Sequence, residues 1–208
     1  LISGTFFFYL FEYQGVIAEH QSYFGQFTTA FFGSVTPRTA GFNTVNMAEL
    51  TVPTILLTMF LMWVGGSPAS TGGGIKTSTF ALGILNIFSV GTGRSRIDVG
   101  TRTVAEQSLR RAFAIIMLSF LFIGLSTFLL AFFEPDKKFL DLAFEVFSAY
   151  CTTGLSVGIT PSLSDGGKIV IICTMFLGRV GTLNLIISLL HQVRHTPYEY
   201  PRENIMIN

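Results

Sequence analysis

Apolar stretches of different lengths divide the chain, and short polar segments separate them. Residues 112–133 and 168–190 are long enough to cross a bilayer, which requires about 20 helical residues. Residues 50–64 and 77–91 are each too short to cross alone, but together they exceed one crossing. Between them, residues 65–76 contain five glycines, a proline, small hydroxyl residues and a lysine. The pattern predicts an all-α integral membrane protein in which one crossing is interrupted.

Three further apolar stretches do not complete a crossing. Residues 21–36 and 138–150 are aromatic and too short to cross, which favours re-entrant helices. Residues 1–18 form a partial span. Because the sequence opens at Leu1 directly on this span, we expect its beginning to be missing and the chain to be the C-terminal part of a longer protein.

Composition and charge agree with a membrane location. Charged residues make up 12% of the chain, against roughly 25% in an ordinary soluble domain, and 22 residues are phenylalanine. Arginines concentrate in residues 94–111 and in the tail 191–208. Cytoplasmic loops carry such an excess, so both segments are predicted to lie inside. The acidic loops around Glu12 and Glu134 are then predicted to lie outside.

The chain also resembles itself at a fixed offset. RTAGFNT (residues 38–44) aligns with CTTGLSV (residues 151–157) when Gly41 is laid on Gly154, 113 positions later. The same ungapped shift pairs Thr39 with Thr152, Phe31 with Phe144, Trp63 with Phe176, Gly65 with Gly178, and residues 1–18 with residues 114–131. Similarity at one offset, in elements of the same type, indicates a repeated structural unit.

The predicted unit is a membrane helix, a short helix, a glycine turn and a second membrane helix, which is the layout of a channel pore repeat. A dehydrated cation needs oxygens in place of its water, and rings of backbone carbonyls supply them. Glycine permits the dihedrals that turn successive carbonyls inward. The short helix directs the negative end of its dipole toward the cation. The alternative is that both glycine turns are ordinary loops.

Four segments carry a resemblance to a known family: SVTPRTAGFNT, GGSPASTGGGIKTST, CTTGLSVGIT and FLGRVGTLNL. With them the chain resembles the Ktr/Trk/HKT superfamily of potassium transporters, and in particular the KtrB-type membrane subunit of bacterial Ktr systems. The resemblance implies four pore repeats around one pore, of which this chain is similar to the third and fourth. It implies potassium uptake across the bacterial cell (inner) membrane by a multi-pass protein that is not an enzyme and has no covalent cofactor.

On this resemblance the chain divides into two repeats, a connector and a tail. Residues 1–93 are the third repeat, with a truncated outer helix, a pore helix at about 21–36, a filter at 39–43 and a broken inner helix with a gate loop at 65–76. Residues 94–111 are a cytoplasmic connector. Residues 112–190 are the fourth repeat, with an outer helix at 112–133, a pore helix at 138–150, a filter at 152–156 and an inner helix at 168–190; residues 191–208 are a cytoplasmic tail.

The resemblance also implies the site residues. The selectivity filter, with potassium at its carbonyls, comprises Thr39, Ala40, Gly41, Phe42 and Asn43, and Thr152, Thr153, Gly154, Leu155 and Ser156. We expect Asn43 and Ser156 to support the turns from behind. The gate is the loop across the pore below the filter, with Gly65, Gly66, Ser67, Pro68, Ala69, Ser70, Thr71, Gly72, Gly73, Gly74 and Lys76, and with Arg179 opposite it.

Two basic residues are predicted at the depth of this loop. Lys76 would cost roughly 2.5–3.5 kcal/mol at a helix centre facing lipid, so we expect it to face the pore cavity or the cytoplasmic mouth. Arg179 is predicted near the middle of the span 168–190. Its guanidinium could donate to several loop carbonyls and its charge would repel potassium, as suits a latch for a closed gate. An arginine that snorkels to the interface is the alternative.

Other function classes fit the sequence less well. A phosphate-binding loop requires glycine directly before its lysine, but Ile75 precedes Lys76. Asp141 and Glu145 share a face of the second pore helix, where we expect them to lend negative potential to the outer vestibule rather than to perform acid–base chemistry. A non-transporting membrane scaffold would need no repeated filter turn. A Trk-type or sodium-coupled cation symporter subunit is the alternative within the superfamily.

The resemblance implies several partners as well. These are membrane lipid, the first and second pore repeats, a second copy in a homodimer, and a cytosolic nucleotide-binding ring of the KtrA type. Nucleotide would act only through that ring, and no nucleic acid is expected. Sodium sensitivity is also implied, although the sequence offers no identifiable sodium site.

Overall fold

Helices dominate the computed structural model, which describes residues 1–20, 22–68, 70, 72–93, 96–99 and 102–181. In chain order these helices are α1 (Ile2–Glu12), α2 (Tyr23–Val35), α3 (Val52–Trp63), α4 (Thr77–Gly91), α5 (Glu106–Phe133), α6 (Phe139–Tyr150) and α7 (Asp165–Val180). A two-residue antiparallel pair, β1 (Asp98–Val99) and β2 (Arg102–Thr103), lies between α4 and α5. Short 3₁₀ turns occupy Val16–Glu19, Met47–Glu49 and Thr160–Ser162.

Most predicted helices occur close to their expected positions. The short helices α2 and α6 occupy the two aromatic stretches, and α3 and α4 are the two halves of the interrupted crossing. The outer helix α5 begins at Glu106 rather than at residue 112, and α1 ends at Glu12 rather than near residue 18. The positions of the short helices and of the helix break are those that the sequence predicts.

Among the described residues, α5 is the one helix long and apolar enough to cross a membrane by itself. Only 28% of its most apolar window is buried, and Phe120, Phe128 and Phe132 are among its exposed side chains. Because α3 has 12 residues and α4 has 15, a second crossing in this part of the chain would require both.

The inner helices α3 and α7 begin in the same way. Their N-cap residues are Thr51 and Ser164, which lie 113 positions apart. The N–H and the hydroxyl of Thr51 each donate to Glu12 Oε1 at 2.8 Å, and the N–H of Ser164 donates to Glu134 Oε1 at 2.5 Å. A carboxylate beside a helix N-terminus stabilises its first turn. Each inner helix is thus anchored to the end of its outer helix.

The outer helices do not follow the offset of the inner helices. Glu12 and Glu134 have equivalent partners in the two repeats, yet 122 positions separate them. The ungapped alignment of residues 1–18 with residues 114–131 is therefore wrong by nine positions. The connection after α1, which contains the 3₁₀ turn at Val16–Glu19, is longer than the connection after α5 and takes up part of the difference.

The helix α7 is interrupted at Gly181, inside the inner helix that the sequence predicts. Its last residue is Val180, and Gly181 has φ of 81°, whereas the predicted inner helix continues to residue 190. Glycine adopts positive φ without steric penalty and often terminates helices. Residues 182–190 and the tail 191–208 lie outside the described residues.

The two repeats share one apolar core. Helix α1 packs against α2 and α3, α5 packs against α4, α6 and α7, and α3 packs against α6. Trp63, the last residue of α3, donates its indole N–H to Ser119 Oγ of α5 at 3.0 Å, and its ring lies 4.6 Å from that of Phe120 between centroids. The end of α3 is therefore fixed against the fourth repeat.

Candidate ion-conduction site

Two glycine turns follow the short helices α2 and α6, and their backbones have the same shape. Thr39 and Gly41 have φ of 66° and 72°, and Thr152 and Gly154 have φ of 53° and 88°. The two threonines are the only non-glycine residues with positive φ in the described part of the chain. Such a conformation costs roughly 1–2 kcal/mol for a residue with a side chain. The repeat in the sequence is thus also present in the backbone.

The two turns lie against each other. A Cβ added to Gly41 would lie 2.1 Å from the carbonyl oxygen of Thr153, far inside van der Waals contact. Gly154 has the same backbone conformation, but a Cβ there would meet open space. The structure therefore brings together the filter residues predicted from both repeats, and Gly41 is the more tightly constrained of the two glycines.

Backbone N–H groups of both turns donate to the ends of the short helices. The N–H groups of Ala40 and Gly41 donate to Thr36 O at 3.2 Å, and that of Thr153 donates to Ser148 O at 2.9 Å. An α-helix carries about half a negative charge at its C-terminal end. Because α2 and α6 both end at the turns, this region suits a cation.

A threonine supports the third-repeat turn. Thr36 is 1% exposed and donates its hydroxyl to Phe42 O at 2.6 Å. The sequence assigns this support to Asn43, but the side chain of Asn43 is exposed. Thr36 comes one residue after α2, and nothing in its sequence neighbourhood distinguishes it from the other hydroxyl residues there.

A buried carboxylate supports the fourth-repeat turn. Glu145 of α6 is 5% exposed; its Oε1 accepts from the hydroxyl of Ser156, and its Oε2 accepts from Thr160 Oγ1 at 2.8 Å. Ser156 also accepts the N–H of Gly158 at 2.9 Å. Ser156 thus supports the turn as expected, but it does so through Glu145. Glu145 also lines the cavity beside this turn, and the expectation that Asp141 and Glu145 lend negative potential to the outer vestibule stays a prediction.

The predicted gate loop, residues 65–76, separates α3 from α4 and is closed at its base. Val64 and Ile75 form a parallel bridge, and the N–H of Gly65 donates to Ile75 O at 2.9 Å. Gly73 is buried, Gly66, Gly72, Gly74 and Lys76 are half-buried, and Ser67, Pro68 and Ser70 are exposed. Ala69 and Thr71 lie outside the described residues.

Residues 70, 72 and 73 form what we call the loop crown, and it contacts Thr39 and Thr152 of the two glycine turns. The N–H of Gly73 donates to Thr152 Oγ1 at 2.7 Å. A Cβ on Gly73 would lie 2.8 Å from the Thr152 side chain, and one on Gly72 would lie 2.6 Å from the Thr39 side chain. Side chains at these two positions would collide with the filter threonines, which accounts for glycine at both.

Lys76 turns back onto the loop crown. Its ammonium donates to Ser70 O at 3.0 Å, to Ser70 Oγ at 3.1 Å and to Gly72 O at 2.5 Å. The sequence predicts that this side chain faces the pore cavity or the cytoplasmic mouth. In the structure it holds the crown together from the start of α4, and the side of the pore that it faces stays a prediction.

Arg179 lies in the last turn of α7, two residues before Gly181. It lines a cavity of about 500 Å³ together with Glu145, Thr152 and Gly154. Its positive charge and that of Lys76 repel each other. A basic side chain at a helix C-terminus interacts favourably with the helix dipole. The structure thus places Arg179 beside both the fourth filter turn and the loop.

A close approach of helices fixes α7 over the end of α6. A Cβ on Gly178 would lie 1.9 Å from the carbonyl oxygen of Tyr150. The equivalent glycine of the third repeat, Gly65, would place a Cβ 2.9 Å from the carbonyl oxygen of Gly73. Gly65 and Gly178, which the sequence repeat pairs, therefore both lie in close contact with the backbone of another segment.

Short helices that end in glycine turns with carbonyls directed toward an ion path are typical of membrane proteins that conduct cations. Comparison with known proteins supports this class. The profile of the TrkH family, described as a cation transport protein, matches residues 2–194. The chain therefore belongs to the TrkH family of cation transport proteins.

Individual relatives cover most of the chain. The potassium/sodium uptake protein NtpJ of Enterococcus hirae is 34% identical over 212 aligned positions, covering 100% of this chain and 47% of that protein. The Ktr system potassium uptake protein D of Bacillus subtilis is 37% identical over 176 aligned positions, which cover 85% of this chain and 39% of that protein. The Ktr system potassium uptake protein B of Vibrio alginolyticus is 36% identical over 182 aligned positions, which cover 88% of this chain and 40% of that protein. The chain thus spans less than half the length of these relatives, which are named as uptake proteins and not as enzymes.

A solved structure shows the same fold. The crystal structure of the potassium transporter TrkH from Vibrio parahaemolyticus matches with a TM-score of 0.73 at 22% identity, covering 91% of this chain and 42% of that chain. The predicted superfamily and the predicted helical membrane-protein fold are confirmed.

Proposed function

We propose that this chain forms half of the pore of a Ktr-type potassium uptake system, as the third and fourth of four repeats. One observation carries the proposal: two glycine turns with the same left-handed backbone meet at the ends of two short helices. The chain spans less than half of its relatives, so the oxygens that complete a ring around the ion would come from two further repeats.

The proposed filter acts through backbone oxygens. A potassium ion entering it would exchange water for carbonyls, while the ends of α2 and α6 add negative potential. The positive φ values at Gly41 and Gly154 reverse the direction of successive carbonyls, which is the role that we assign to them. The proposed ligands are the carbonyl oxygens of Thr39, Ala40, Phe42, Thr152, Thr153 and Leu155.

The filter is tested by placing side chains at the two glycines. We expect Gly41→Ser and Gly154→Ser, each in the full-length protein, to lower the preference for potassium over sodium. The measurement is flux of both ions in liposomes, with growth rescue of a potassium-uptake-deficient bacterium at low potassium as a second readout. Unchanged selectivity and unchanged rescue in both variants would contradict the filter assignment.

The loop at residues 65–76 is the proposed gate, held closed with the help of Arg179. Its crown lies against both filter turns, and Arg179 lines the adjoining cavity. Removing Gly72, Gly73 and Gly74 should raise potassium flux, and so should Arg179→Ala. Because both changes act on one network, the flux of the combined variant should increase by much less than the sum of the two single increases. If both variants fold and conduct no faster than wild type, the loop is a structural break and not a gate.

The proposal includes a multi-pass arrangement in the bacterial cell membrane. Residues 94–111 and 191–208 would lie in the cytoplasm, and the connection after α5 would lie outside. A cysteine at Ser95 should react with impermeant thiol reagents only from the cytoplasmic side, and one at Asp136 only from outside. The reverse labelling would overturn this orientation.

A homodimer on a cytosolic nucleotide-binding ring completes the proposed assembly.

Sodium-coupled transport is the second candidate, because the relative NtpJ is named as a potassium/sodium uptake protein. It differs from passive potassium flux in one measurable property. A sodium gradient imposed across liposomes should drive potassium accumulation only if transport is coupled.

A further inference from the structure

We propose that the hydroxyl of Thr152 is a latch for the gate loop, so that one filter residue both shapes its turn and holds the loop closed. This inference rests on the proposed function, in which residues 65–76 are the gate. It adds a contact on the filter side of the loop, where the sequence points only to Arg179. The latch is the hydrogen bond from the N–H of Gly73 to Thr152 Oγ1 at 2.7 Å.

The surroundings of this hydrogen bond favour such a role. Gly73 is buried, and a backbone N–H buried without an acceptor loses free energy comparable to a hydrogen bond. A Cβ on Gly73 would also lie 2.9 Å from Tyr150 O, so the backbone at the end of α6 packs closely against the crown. If the loop moves away, Gly73 loses the acceptor that Thr152 provides.

The backbone of Thr152 supports the same conclusion. Its φ of 53° lies in the left-handed region, which side chains rarely adopt. Such conformations persist where surrounding contacts hold them, and they concentrate at functional sites. The hydroxyl that meets the loop crown is therefore carried by a backbone that the turn holds in an unfavourable conformation.

Thr39 provides an internal comparison. It occupies the equivalent position of the third repeat, with φ of 66°, and its side chain faces Gly72, the neighbouring glycine of the crown. Thr152 accepts the N–H of the crown, whereas Thr39 limits the space beside it. Valine at position 39 would preserve that shape, so Thr39→Val is a matched control for Thr152→Val.

An ion ligand is the other role that a filter hydroxyl could have, and the two roles predict opposite effects. Removing a latch destabilises the closed loop and raises flux. Removing a ligand weakens the ion site and lowers flux or selectivity. Valine retains the β-branched shape of threonine and removes only the hydrogen-bonding group, so the sign of the change distinguishes the roles.

The experiment uses the full-length protein in liposomes with potassium flux as the readout. We expect Thr152→Val to raise flux about 2- to 10-fold, the range that one net hydrogen bond supports, with the preference for potassium over sodium retained. Thr152→Ser, which keeps the hydroxyl, should raise flux less than Thr152→Val does, and so should Thr39→Val. Thr152→Ala is the second variant without a hydroxyl, in case the valine variant does not fold.

A labelling assay measures loop position independently of flux. Ser67 is exposed in the loop, and Cys173 is an exposed cysteine whereas Cys151 is buried. In a full-length protein in which Cys173 and all reactive cysteines outside this chain are replaced by serine, a cysteine at Ser67 should react faster with a thiol reagent when Thr152 is replaced by valine.

The outcomes separate this inference from the function on which it rests. Suppose that removal of Gly72, Gly73 and Gly74 raises flux, that neither Thr152→Val nor Thr152→Ala does, and that labelling at Ser67 is unchanged. The latch is then overturned and the gate stands. If the deletion also leaves flux unchanged, the gate fails and the latch fails with it. Lower flux in the Thr152 variants with normal folding would assign the hydroxyl to the ion.

Discussion

The third and fourth filter turns have the same backbone shape and different surroundings. Gly41 is pressed against the carbonyl of Thr153, whereas the space beside Gly154 is open. A threonine hydroxyl at Thr36 supports the third turn, and the buried carboxylate of Glu145 supports the fourth. The duplicated feature is thus the path of the backbone, which sets carbonyl directions. The chemistry that holds this path differs between the repeats.

The largest difference between the repeats should appear at the paired glycines Gly178 and Gly65. Gly178→Ala would place a Cβ 1.9 Å from Tyr150 O, a backbone atom that cannot move aside cheaply, while Gly65→Ala would meet Gly73 O at 2.9 Å. We expect Gly178→Ala to exceed the 1–3 kcal/mol typical of overpacking and to prevent recovery of folded full-length protein. Gly65→Ala should lower Tm by less.

Gly124→Ala in α5 is the control, since a Cβ there meets nothing within 4 Å. Size-exclusion profiles and thermal unfolding of the three purified variants measure the effect. Recovery of the Gly178 variant with wild-type Tm would show that α7 does not pass so close to α6.

Replacing Gly41 by alanine should destabilise the protein more than replacing Gly154 does. Gly154→Ala strains only the backbone, by roughly 1–2 kcal/mol. Gly41→Ala has the same strain and adds a collision with Thr153 O, which should cost roughly another 1–3 kcal/mol. Thermal unfolding of both variants in the full-length protein checks the order, and equal losses would mean that the two turns do not touch.

The supporting side chains should show a smaller contrast. Glu145→Ala leaves the hydroxyls of Ser156 and Thr160 without their acceptor, and we expect a loss of roughly 1–3 kcal/mol. Thr36→Val removes one hydrogen bond to Phe42 O and should cost roughly 0.5–1.5 kcal/mol. Glu145→Gln, which keeps one acceptor oxygen, should fall between wild type and Glu145→Ala. A larger loss at Thr36 would reverse the assigned importance of the two supports.

The smallest expected effect concerns pH and the anchor of the fourth repeat. Hydrogen bonds from the side chain and the backbone of Ser164 lower the pKa of Glu134 from its ordinary value of 4.5. The contact therefore stabilises the protein above pH 4.5, and this stabilisation is lost as the pH falls through the lowered folded-state pKa. Tm should fall less steeply from about pH 5 to about pH 3 in Glu134→Gln than in wild type.

Asp136→Asn, in the same connection and exposed, is the control for that measurement. A Glu134→Gln variant with the wild-type pH profile would mean that the anchor contributes nothing to stability in acid.

Local sequence predicted the features that depend on backbone chemistry. The glycine run between α3 and α4 predicted the helix break, and the shared Thr-x-Gly pattern predicted two turns of the same shape. Both predictions rest on conformations that glycine makes accessible, so the residues involved are recognisable without knowledge of their partners.

Features that depend on distant partners were missed. Glu145 bonds residues 11 and 15 positions later, and Thr36 bonds a carbonyl 6 positions later, so helical periodicity does not indicate the partners of either residue. The partners of Glu12 and Glu134, Thr51 and Ser164, lie 39 and 30 positions later in the chain, and an ungapped shift cannot accommodate this difference, so it misplaced the outer helices. Apolar residues on both sides of Gly181 concealed the interruption of α7 that follows Arg179.

Trp63 gives the protein an intrinsic fluorophore in a useful place. It is the only tryptophan among the 208 residues, it is 7% exposed, and its indole N–H is bonded to Ser119 at 3.0 Å. The residue after it, Val64, forms the bridge that closes the base of the loop. Entry of water at this base would shift the emission to longer wavelength, so conformational change there could be followed in real time without an added label, once tryptophans elsewhere in the full-length protein are replaced.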